Sequence, residues 1–146
     1  MEIVKKILLI VALSLAVFAN DIIIKPSKYS VDETIYNIKN IVKSKGFGVF
    51  AVINHKANAK MVDMELQEAK LIVFGNPKLG TAVMQENILA ALDLPIRILV
   101  YKDRDGTTKM AYRNASWLKG LHGLKNDKNI AKIDSGLDKL TNKAGQ

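Results

Sequence analysis

The chain has 146 residues, 49% of them apolar and 25% charged, with 22 Lys and Arg against 14 Asp and Glu and no cysteine. That length suits one ordinary globular domain, and the absence of cysteine excludes a disulfide scaffold, a zinc ribbon and a cysteine enzyme. The formal charge of +8 is spread over single lysines and short pairs, and aromatic residues make up only 6%, too few to interleave with them as stacking platforms, so no nucleic-acid partner is expected.

Lys5 and Lys6 precede the apolar run Ile7 to Ala19, which is the pattern of a secretory signal peptide. The run falls short of the roughly 20 residues that span a bilayer, and it ends in Val17-Phe18-Ala19, small at the two positions a signal peptidase reads. Residues 1–19 are therefore expected to be cleaved before Asn20, leaving residues 20–146 as a single periplasmic or secreted domain with no stable membrane span. The alternative is an uncleaved anchor, since Asn20-Asp21 interrupts the run only briefly before Ile22-Ile23-Ile24. Loss of Lys5, Lys6 and Glu2 lowers the charge from +8 to +7, so the mature domain stays basic.

Ile22-Ile23-Ile24 predicts a first strand that ends near Pro26, whose missing N–H disfavours a central ladder position. Ser30-Val31-Asp32-Glu33 then reads as a capping box. It opens a helix whose Ile35, Ile38, Ile41 and Val42 share one face and which stops at Gly46. Gly48 to Asn54 is β-branched and aromatic and predicts a second strand. Residues 56–66, with Ala57, Ala59, Met61, Met64 and Leu66, suit a short helix better than a strand.

Ala69 to Phe74 predicts a third strand, continuously apolar from Leu71 and so expected to be covered on both faces, which stops at Gly75-Asn76-Pro77. Thr81 is expected to cap a helix reaching about Leu92, with Val83, Met84, Ile88, Leu89 and Leu92 as its buried stripe. Ile96 to Tyr101 and Lys109 to Arg113 flank Asp105-Gly106, a hairpin signal, and should be antiparallel neighbours. Trp117, Leu118 and Leu121 suggest a short packed turn interrupted by Gly120 and Gly123. Ile130, Ile133, Leu137 and Leu140 define a last amphipathic helix despite Gly136. A hairpin between consecutive strands argues against a doubly wound sheet and for an α+β, two-layer fold.

The string Phe74-Gly75-Asn76-Pro77-Lys78-Leu79-Gly80-Thr81, followed by Asp93-Leu94-Pro95-Ile96-Arg97 and Asp105-Gly106 before Tyr112, resembles the domain of unknown function 302. The resemblance extends over residues 27–145 and takes in Gly46 and His55. It implies a TBP-like β-α-β(4)-α arrangement, a mainly antiparallel curved sheet packed by helices on one face, a tendency to form homodimers, and no established reaction. The family has a glycine after the His55 segment where this chain has Asp63, and this chain lacks the family's usual Pro or Arg near Leu66-Gln67.

Candidate site residues are few. The Gly75 to Thr81 turn leads into a helix N-terminus, where free N–H groups and the helix dipole favour an anion. Asn76, Lys78 and Thr81 are candidate ligand-binding residues there, beside the structural reading in which they shape and cap the turn. Arg97 can pair with Asp93 or with a partner subunit. His55 is a further ligand candidate and, with Met61 and Met64, a weak soft-metal set suited to copper, although the methionines read more simply as core filler. His122, between Leu121 and Gly123, has no obvious carboxylate neighbour in the sequence and takes no role.

No Ser/His/Asp order, no zinc-protease motif and no dinucleotide fingerprint occurs, so no catalytic residue and no cofactor is assigned. The expectation is an exported, non-enzymatic homodimer that binds a small, anionic ligand or an envelope protein in a groove between sheet and helices. The alternatives are a hydrolase using His55 with a carboxylate, and a soft-metal module.

Overall fold

The computed structural model describes residues 21–146, so the leader and its cleavage point lie outside the described residues. Five strands, β1 (Ile22–Ser27), β2 (Gly48–Asn54), β3 (Ala69–Gly75), β4 (Ile96–Lys102) and β5 (Thr108–Arg113), form one sheet in the order β1-β5-β4-β3-β2. Every neighbouring pair is antiparallel, including the anticipated β4–β5 hairpin, in which Leu99 faces Ala111. β1 is an edge strand, which is where Pro26 costs no ladder hydrogen bond.

Helices α1 (Val31–Ser44) and α5 (Asp127–Gly145) lie together across one face of this sheet. Three shorter pieces, α2 (His55–Lys60), α3 (Pro77–Glu86) and α4 (Ala115–His122), fill the connections, with a 3-10 turn at Ile88–Leu92. Without the short pieces the order is β-α-β(4)-α, the two-layer α+β arrangement expected from the sequence.

The capping box forms as predicted: Ser30 Oγ accepts from Glu33 N at 3.2 Å, and Glu33 Oε2 accepts from Ser30 N at 3.0 Å. These bonds satisfy two donors that the helix start would otherwise leave unpaired. Gly46, at φ +72, closes the other end of α1 in a conformation that costs a side chain-bearing residue strain. The predicted helical stripes become the core. Ile35, Ile38 and Val42 of α1 meet Ile133, Leu137 and Leu140 of α5 over Ile72, Ile98, Val100 and Met110 of the sheet.

Five expectations are corrected. Strand β3 is covered on one face only: Ile72 and Phe74 are buried, whereas Leu71 and Val73 keep partial exposure because no helix lies over their side of the sheet. The helix after β3 begins at Pro77 with Asn76 as its cap, so Thr81 sits inside it rather than before it. That helix also breaks at Asn87 (φ −151°, ψ 115°), which turns the intended stripe outwards and leaves Ile88 71% and Leu92 76% exposed while Ala90 is buried. Finally, residues 115–122 form a true helix, ended by Gly123 at φ +61, rather than a turn.

The segment after β2 is also shorter than expected. α2 ends at Lys60, so Met61 and Met64 fall in the loop, 82% and 66% exposed, and are not core filler. Asp63 in that loop adopts φ +55, the one left-handed non-glycine residue among those described. A glycine would hold that conformation without strain, which is the physical content of the departure from the family pattern.

Candidate functional site

A cavity of about 620 Å³ opens at the end of the sheet where β2 begins and β3 ends. Its size lies within the range of small-molecule sites. The strands supply Phe74 and Ile96, helices α1 and α5 supply Val42, Ile133, Leu137 and Leu140, and α3 supplies Leu79 and Met84.

A local irregularity gives the cavity part of its wall. The β2–β3 register shifts between Val49 and Ala51, so Phe50 is the extra residue of a β-bulge and contributes to the cavity lining. Glycines make room for its ring: a Cβ at Gly48 would stand 3.3 Å from Phe50 Cζ, and one at Gly75 3.6 Å from Phe50 Cε2.

The structure brings only part of the sequence-predicted set to this place. Asn76 and Thr81 line the cavity; Lys78, His55 and Arg97 do not. The anion-binding argument at the start of α3 also weakens, because Asn76 Oδ1 already accepts from Lys78 N at 3.0 Å and Leu79 N at 3.4 Å. Two donors counted as free are therefore satisfied inside the turn.

His55 follows Asn54, which pairs with Lys70 at the opposite end of the β2–β3 ladder from the Gly48–Gly75 pair. At about 3.3 Å per residue that separation is roughly 20 Å. Among the described residues His55 has no hydrogen bond or ion pair to a carboxylate, so the hydrolase reading gains no geometry. The soft-metal set gains none either, since α2 ends before Met61 and Met64. Among the described residues no cluster of three His, Cys, Asp or Glu side chains is placed to hold a metal.

Arg97 lies on the uncovered face of the sheet, half-exposed, with a nitrogen 3.9 Å from Asp93 Oδ1 and 3.2 Å from the Asp93 carbonyl. A pair this exposed contributes under about 1 kcal/mol. Asp93 has a closer partner that the sequence did not reveal: His122 Nε2 is 2.6 Å from Asp93 Oδ2, with the imidazole 7% exposed. Asn87 Nδ2 also donates to the His122 carbonyl at 3.0 Å. The two contacts fasten the end of α4 to the 3-10 turn. The cleft beside Asp93 has no serine, threonine or cysteine in its lining.

The carboxylates at the hairpin tip serve the turn. The hydrogen bond from Lys109, then that from Arg104 N, holds the Asp103 carboxyl below its ordinary value of 3.8. Thr107 does the same for Asp105 through its hydroxyl and N–H.

Sequence reasoning missed Lys45 and Lys132, which line the cavity from α1 and α5. One signal was available. Gly136 sits in the middle of a 19-residue helix, where glycine costs about 1 kcal/mol against alanine, and it too lines the cavity.

Comparison with known proteins places this arrangement. A chain described as the crystal structure of an uncharacterized conserved protein DUF302 from Bacillus stearothermophilus superposes with a TM-score of 0.70 at 23% identity, covering 87% of this chain and 97% of that one. Proteins named fluoride-specific ion channel FluC 1 in Brucella suis and FluC 2 in Brucella melitensis are each 38% identical over 117 residues, 79% of this chain. The match takes in 46% and 43% of those proteins, so the chain spans under half the length of these curated relatives. No helix among the described residues is long and apolar enough to cross a membrane. The profile of the domain of unknown function DUF302 matches residues 23–142, and the chain belongs to that family.

Proposed function

We propose that the protein is an exported, non-enzymatic DUF302 domain that binds a small ligand in the cavity between α1, α3, α5 and the sheet end, and that it works as a homodimer. The observation that carries the ligand reading is the cavity itself: about 620 Å³, apolar for most of its lining, with the polar side chains of Asn76 and Thr81 among its walls. Export rests on the leader pattern of residues 1–19.

The dimer rests on the uncovered sheet face. Ile22, Ile24, Leu71, Val73 and Leu99 stand there with Arg97 and Arg113, and Ile24 is 53% exposed. A contiguous apolar sheet face of this kind marks an interaction surface, and a second copy presenting the same face is the simplest symmetric partner.

Native mass spectrometry of the full chain expressed in its own host tests all three parts. The expected species is a dimer of chains beginning at Asn20, carrying a small-molecule adduct that a Gly136→Leu variant lacks. A monomer at high concentration, a retained leader, or a wild-type mass without adduct would each overturn the corresponding part.

A further inference from the structure

The ligand class can be narrowed from the charges around the cavity; this step rests on the reading of the cavity as a ligand site. Lys45 closes α1, and Lys132 lies one helical turn before Gly136 on the same face of α5. No Asp or Glu lines the cavity, and among the described residues neither lysine's ammonium group has an ion-pair or hydrogen-bond partner. This is unlike Lys25, Lys70, Lys109 and Lys119, each of which is paired with an aspartate.

The remaining walls are chiefly apolar, with Phe47, Phe50, Phe74, Leu79, Met84 and Leu94 around the space. Lysine stems lie well along such surfaces while their ammonium groups stay at the water boundary. The geometry points to a single-tailed amphipathic organic anion, its chain in the apolar cavity and its head between Lys45 and Lys132. A small hydrophilic anion would leave the apolar walls unused, and an apolar molecule without a head would leave both cations unpaired.

Two glycines keep the space open. A Cβ at Gly136 or at Gly80, on the α5 and α3 walls, would meet nothing within 4 Å. Leucine at either position projects into the cavity and is also the better helix former, so blocking the site is compatible with an intact fold.

Isothermal titration of the full chain with decanoate, decanol and decylamine tests the inference. Decanoate should bind at least about tenfold more tightly than either analogue, the margin that one charge-assisted contact of about 1.4 kcal/mol gives. Gly136→Leu should abolish its binding, with Gly80→Leu as the second blocking variant and circular dichroism confirming the fold of each. The Lys45→Gln/Lys132→Gln double variant should lose the preference for decanoate while binding decanol as before.

Decanol and decylamine binding as tightly as decanoate, and lost in Gly136→Leu, would overturn the anionic class and leave the cavity reading standing. Decanoate binding unaffected by both leucine variants, or no binding of any probe, would overturn the inference together with the cavity reading.

Discussion

The two faces of the sheet are built from the same strands and differ little in composition, yet they have different fates. On one face Ile72, Ile98, Val100 and Met110 have no exposure at all beneath α1 and α5. On the other, Ile22, Leu71, Val73 and Leu99 keep part of their surface, and arginines 97 and 113 stand among them. Hydrophobicity alone does not distinguish Ile98 from Leu99. What separates them is the pleat, which sends adjacent side chains to opposite faces, and the placement of both long helices on the same side. The apolar face left in water is the surface on which the proposed dimer rests.

The largest test of this difference is a pair of neighbouring truncations. Ile98→Ala should cost about 2 to 5 kcal/mol in urea unfolding, through lost burial and a cavity under two helices. Leu99→Ala should cost under about 1 kcal/mol within a single copy, the range of ordinary surface substitutions, and should raise the protein concentration at which dimers form in analytical ultracentrifugation. Equal costs at the two positions would break the comparison.

A second test probes how tightly the covered face is packed. The carbonyl of Gly145, at the end of α5, accepts from Lys28 N at 2.9 Å, and a Cβ there would stand 2.7 Å from Met110 Cε and 2.7 Å from the Pro26 carbonyl oxygen. Met110 can shift, but the β1 backbone cannot without disturbing the sheet edge. Gly145→Ala should destabilise by roughly 1 to 3 kcal/mol, measured as a lower urea midpoint at unchanged slope.

The smallest effect is expected on the open face, at the hairpin tip, where Lys109 is paired with Asp103. Both Asp103 and Asp105 have carboxyls held below the ordinary value of 3.8, so their contribution is present above that pH and fades as pH falls through the lowered values. Lys109 is raised above 10.5, chiefly by its hydrogen bond to Asp103, so its share is present below that value and fades as pH rises through the raised one. Protection of the Thr107 amide, relative to its intrinsic exchange rate at each pH, should therefore fall at the acid end while amides of Ile98 and Val100 keep theirs. Simultaneous loss in both places would show that the tip and the core open as one unit.

Much of the fold was legible because its signals are local. The Ser30 to Glu33 box, the Ile35-Ile38-Ile41-Val42 stripe, the Asp105-Gly106 hairpin and the Ile130 to Leu140 stripe each depend on residues within a few positions of one another, and each formed. The errors cluster where a tertiary contact overrode a pattern. The Val83 to Leu92 stripe was broken at Asn87, whose side chain accepts from Leu89 N and donates to His122, 35 residues away. The candidate site fared worse. Asn76 and Thr81 reached the cavity, but the two lysines that give it a charge come from helices far apart in the chain, and the carboxylate partner of His122 lies 29 residues upstream.

By itself the sequence determined the five strands, the two long helices with the Ser30 cap, the antiparallel hairpin, the family, and the leader pattern of residues 1–19, because these are written in short-range periodicity, in residues with special backbone freedom and in contiguous motifs. Only the tertiary structure decided which of two equally apolar sheet faces is covered, that Lys45 and Lys132 stand around one cavity, and that Asp93 meets His122. Those outcomes depend on how distant elements are superposed in space, and a local pattern carries no record of that superposition.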